Sequence, residues 1–106
     1  MNDTARLEAR LLTAAELGLV ALTRPPEIER QSADELKAVA RRLREALNRA
    51  KDIGARQARK IRGKAAPHSA RSAKDNLGAI GKAQMLRQAL ERLEAEQRRR
   101  AAAALQ

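Results

Sequence analysis

Not one Phe, Tyr or Trp occurs in this chain. That lack narrows the folds open to it more than any other feature. Apolar residues still make up 43% of the sequence, so a core must be assembled from Leu, Ile, Val, Met and many Ala. Leu, Ala and Met are good helix formers, and small aliphatic side chains suit helices packed closely side by side. They do not fill a wide interior. The expected class is therefore all-α, within a single domain spanning 1–106.

Three helical segments separated by two breaks are predicted, at about 4–22, 33–62 and 76–100. Asn2, Asp3 or Thr4 caps the first, and Leu7, Leu11, Ala14 and Ala15 mark one side of it. Its end, Leu17-Gly18-Leu19-Val20-Ala21-Leu22, is apolar nearly all round, a pattern that calls for burial on several sides. Gly18 inside it suggests a close backbone approach. Arg24-Pro25-Pro26 then stops the helix, because proline lacks a donor and restricts the residue before it. No two short helices joined by a three- or four-residue turn are expected, so the helix-turn-helix mode of reading DNA is not supported.

Ser32-Ala33-Asp34-Glu35 has the S-x-x-E form of a capping box and opens the second helix. At 1.5 Å per residue that helix is roughly 45 Å long. Leu36, Val39, Leu43, Ala46, Ala50 and Ile53 recur at alternating steps of three and four, a seam for packing against another long helix. Beside it runs a row of charges, Arg42, Glu45, Arg49, Asp52, Arg56 and Arg59, which reads at first as a solvated face. Gly63 to Ser69 reads as a stop and loop. The third helix is capped at Asp75 or Asn76, with Gly78 and Gly81 near its start. Its seam is Ile80, Ala83, Leu86, Leu90 and Leu93, and the tail at 101–106 is expected to fray. The second and third helices should form a long antiparallel hairpin with the first packed on it. A seam longer than its cover inside one chain would favour a homodimer through the Leu/Ala faces.

Charge supplies the functional lead. Residues 1–35 hold four basic and seven acidic groups, net −3, while residues 36–106 hold nineteen and six, net +13, giving the total of +10. Between Asp52 and Asp75 lie Arg56, Arg59, Lys60, Arg62, Lys64, Arg71 and Lys74, with no carboxylate among them. Solvated faces usually mix both signs, so this helix end and loop, 53–75, points to an external anion. Those seven residues are the candidate site, binding the phosphate backbone of DNA or RNA. With no aromatic residue to stack on bases, little sequence readout is expected. The alternative is a protein-interaction module or assembly subunit whose basic segment meets an acidic partner surface. Attachment to lipid is disfavoured, since the basic stretch has no large apolar residues to insert.

Other chemistry finds no foothold. Cysteine is absent, which removes thiolate metal sites and disulfides and suits a reducing compartment. His68 is the sole histidine and has no Cys or carboxylate close by in sequence. Gly63-Lys64 ends like a phosphate-binding loop, but Ala58 stands where the first glycine belongs. Ser32, Ser69 and Ser72 have no neighbouring base. No enzyme, cofactor or metal is expected. Arg98, Arg99 and Arg100 read as a helix-terminal network with Glu94 and Glu96. The stretch from Leu11 to Leu22 is interrupted by Glu16 and is too short to span a bilayer. A soluble cytoplasmic protein is the expectation.

Overall fold

The computed structural model describes residues 3–63 and 69–105, with side chains for 3–56 and 77–105. Every element among the described residues is a helix: α1 (Asp3–Leu11), α2 (Ala14–Ala21), α3 (Glu27–Arg30), α4 (Ala33–Gly63) and α5 (Ser69–Ala104). The all-α class and the long α4–α5 pair agree with the sequence, and the seams explain why. Leu36, Leu43, Leu86 and Leu93 have no exposed surface, and Ala46, Ala50, Ala83 and Ala89 are buried between them. Small alanines alternating with leucines let the two helices approach closely along 36–50 and 83–93. The molecule is correspondingly elongated, 60 × 29 × 19 Å.

The predicted 4–22 helix is two helices instead. Thr13 is extended, and its hydroxyl accepts from the Glu16 N–H at 3.2 Å while the Glu16 carboxylate accepts from the Thr13 N–H at 2.8 Å. This is a capping box, the same T/S-x-x-E logic seen at Ser32 and Glu35, where the two bonds are 3.1 and 2.8 Å. A new helix therefore starts at Ala14. The phase of the apolar face changes with it: Leu12 is buried, whereas Leu7, Ala14 and Ala15, expected on the inner side, are exposed. Val20 anchors α2, with Leu17, Leu19 and Leu22 packed against the core around it.

The Pro-rich break contains a single helical turn, α3, whose Ile28 is buried. The α5 helix begins at Ser69, not near Asp75 or Asn76, and extends to Ala104, beyond the expected end at 100. Gly78 and Gly81 consequently lie in its interior. Gly18 makes no close backbone approach, since a Cβ there would meet nothing within 4 Å. At Gly81 a Cβ would stand 2.9 Å from Leu11 Cδ1, so this is where α1 crosses α5. The predicted seams also end early: Ile53 and Ile80 are 49% and 44% exposed. Among the described residues no helix is long and apolar enough to cross a membrane.

Polar contacts fasten the short helices to α5. Lys82 pairs with Glu16 at 3.0 Å. Arg92 donates through Nε and Nη2 to the Thr23 hydroxyl at 3.2 and 3.1 Å, and that hydroxyl donates to the Val20 carbonyl at 2.7 Å. Arg100 donates to the carbonyls of Gln31 at 2.8 Å and Ile28 at 3.1 Å, bringing a cation to the negative end of α3.

Candidate functional site

The basic segment occupies one end of the hairpin. Arg56, Arg59, Lys60 and Arg62 fall in the last two turns of α4, and Arg71 and Lys74 in the first two turns of α5. Pairing of α4 with α5 brings these turns to the same end of the molecule. Positions 56, 59 and 60 share one helix face by their spacing of three and four. Arg56 is exposed and, among the described residues, has no carboxylate within 4 Å. The side chains of Arg59, Lys60, Arg62, Arg71 and Lys74 lie outside the described part of the structure, as do Lys64 and His68 altogether.

The early start of α5 alters the electrostatics of this end. Cations in the last turn of α4 meet the negative end of that helix dipole, an intrinsic reason for some of them. Arg71 sits in the first turn of α5, which contains no acidic residue. There the dipole is positive and disfavours a cation. Helix electrostatics thus account for Arg62 but oppose Arg71.

Carboxylates are engaged elsewhere. All five ion pairs among the described residues use Glu8, Glu16, Glu94 or Glu96. Glu8 is buried and held by both terminal nitrogens of Arg24, one bond measuring 3.0 Å. Hydrogen bonding from Arg24 holds the Glu8 carboxyl below its usual range against the opposing effect of burial. Burial and the neighbouring Arg24 charge both push the Arg92 guanidinium below its ordinary value, with Glu8 offsetting part of this. At Glu16 burial raises the pKa, and the bonds from Thr13 and Lys82 more than reverse it. Glu96, bonded first by Arg99 and then by Arg100, is lowered to about 2. Glu94 pairs not with Arg98 but with Arg44 across the hairpin, at 3.3 Å. The row Arg42, Glu45, Arg49 and Asp52 is exposed, and no ion pair forms within it among the described residues.

Two short helices joined by two residues do occur, as α1 and α2. A recognition helix would need side chains that reach bases, and the only charge on α2 is Glu16. The interior group of Glu8, Thr23, Arg24 and Arg92 was not anticipated from sequence. One signal for it exists: Glu8 stands one turn before Leu12, a carboxylate on an otherwise inward-facing stripe.

The chain matches no family model, no curated protein and no solved structure.

Proposed function

We propose that this is a non-enzymatic protein of the cytoplasm that binds the backbone of DNA or RNA through the α4–α5 end of its hairpin, with little sequence preference. The seven cations Arg56, Arg59, Lys60, Arg62, Lys64, Arg71 and Lys74, uninterrupted by any carboxylate, carry this reading. Two features of the fold support it. The helix pairing gathers both sides of the cationic run at one end, and the first turn of α5 holds a cation where its own helix opposes one. A phosphate at that position gains from the guanidinium and from the free amides of the helix start together. Phosphate contacts fix position without reading bases, in keeping with a chain that has no aromatic side chain to stack on them.

The test is an anisotropy titration of labelled duplex and of labelled single strand at low salt. Wild-type protein should bind both. A variant carrying Arg59→Gln, Lys60→Gln, Arg62→Gln and Lys64→Gln should bind both far more weakly while keeping its helicity and melting temperature. Unchanged affinity in that variant would reject the reading.

A further inference from the structure

The short helices rest on one side of the pair: α2 against both α4 and α5, and α1 against α5, with Leu11 at Gly81 and Glu16 at Lys82. On the face of α5 away from Gly81 and Lys82, a cleft of about 320 Å³ opens between α4 and α5. Its floor is made of small residues, Ala50, Gly54 and Ala55 from one helix and Ala79 and Ala83 from the other. Ile80 borders it at 44% exposure, and Leu77, three residues before it on the same row of α5, stands exposed at 66%. The charged residues of its lining are Lys51 and Arg87, both cations, both exposed, and neither in an ion pair among the described residues.

We infer that this cleft is a docking groove for an acidic amphipathic helix of a protein partner. Small floor residues permit close approach of a third helix backbone, and Ile80 with Leu77 supplies apolar contact for side chains at i, i+3, i+4 and i+7. Carboxylates flanking that apolar stripe meet Lys51 and Arg87. Charge complementarity selects this occupant over a second copy of the chain. A two-fold pairing through the groove would set Lys51 and Arg87 of each copy against the same cations of the other, on molecules of net charge +10. Nucleic acid does not suit the floor, since phosphates would be desolvated against alanine. This site differs from the proposed phosphate site, because none of its described lining residues is among those seven.

The full chain is titrated with a fluorescent helical peptide of about 18 residues, five turns long, with Leu along one face and Glu on the other. Two controls are a permuted peptide of identical composition and a peptide with Lys in place of Glu. The patterned acidic peptide should bind at least about tenfold more tightly than either control, a difference set by apolar match and charge together. Binding should shift the methyl resonances of Leu77 and Ile80. Lys51→Glu with Arg87→Glu should weaken it about tenfold or more, and Leu77→Ser with Ile80→Ser likewise, with helicity retained because these positions are largely exposed. Arg59→Gln, Lys60→Gln and Arg62→Gln should leave peptide affinity unchanged, separating this site from the phosphate site. Equal binding of the permuted peptide, or no effect of the Lys51 and Arg87 reversals, would overturn the assignment. So would a monomer–dimer equilibrium abolished by the two serine substitutions, which would give the groove to a second copy.

Discussion

Replacing Glu8 with Gln probes the least expected feature of the fold, a buried carboxylate held by Arg24. The Glu8 side chain is 8% exposed and its partner Arg24 is 40% exposed. Removing one member of a fully buried pair costs ~3–5 kcal/mol, whereas an exposed pair is worth ~0–1 kcal/mol. Water can recover much of the Arg24 charge at its exposure, so the expected loss is about 2 kcal/mol. For a domain of this size that lowers the melting temperature by about 8 °C. Urea denaturation followed by far-UV circular dichroism at neutral pH measures it, with Arg24→Gln and the double variant completing a cycle. The double variant should be more stable than the sum of the single losses predicts, because both singles leave one charge without its partner. Arg92 adds to the effect, since without Glu8 it faces Arg24 with nothing to offset the repulsion. The sign with pH also follows. The Glu8 carboxyl is held below 4.5 in the folded state by Arg24, so its contribution is present above that value and is lost as pH falls beneath it. The deficit of Glu8→Gln should shrink in acid. A loss under about 0.5 kcal/mol, or additive singles, would refute the account of this network.

Three further outcomes are expected. Gly18→Ala and Gly78→Ala should each stabilise by about 0.5–1 kcal/mol, because both sites are helical with nothing within 4 Å of an added Cβ; urea midpoints measure this. Gly81→Ala should gain less or lose, since the new methyl meets Leu11 Cδ1 at 2.9 Å. In a carboxyl-carbon NMR titration Glu96 should protonate only near its lowered value of about 2, and Arg99→Ala should move that midpoint upward. Leu86→Ala, removing a side chain with no exposed surface at the α4–α5 contact, should cost about 2–5 kcal/mol by calorimetric melting.

The helical hairpin was legible because its signals are regular. Leu36 to Ala50 and Ala83 to Leu93 keep one spacing over several turns, and no aromatic residue offers a competing core. The Ser32–Glu35 capping box was equally plain. Its twin at Thr13–Glu16 was obscured by surrounding alanines and leucines, which read as uninterrupted helix by propensity alone. Once the chain turns there, Glu8 comes beside Arg24, a contact sixteen residues long in sequence that no local pattern encodes. The start of α5 lies earlier than the sequence predicts because Asp75, Asn76 and two glycines resemble a helix beginning. Tertiary packing of α5 on α4 outweighs the modest cost of glycine in a helix interior. The cationic run was visible directly, since a gap in carboxylates needs no fold to be seen. What needed the fold was its setting, astride the ends of two helices whose dipoles act oppositely on it.

The slope of log binding constant against log salt concentration tests the central claim most directly. Counterion release gives a slope of about −0.9 for each phosphate neutralised on a duplex and about −0.7 on a single strand. Wild-type protein should show a steep negative slope. The variant with Gln at 59, 60, 62 and 64 should be shallower by about 3.6 on duplex if all four cations meet phosphates. Affinity indifferent to salt, or the same slope in protein and variant, would contradict the account.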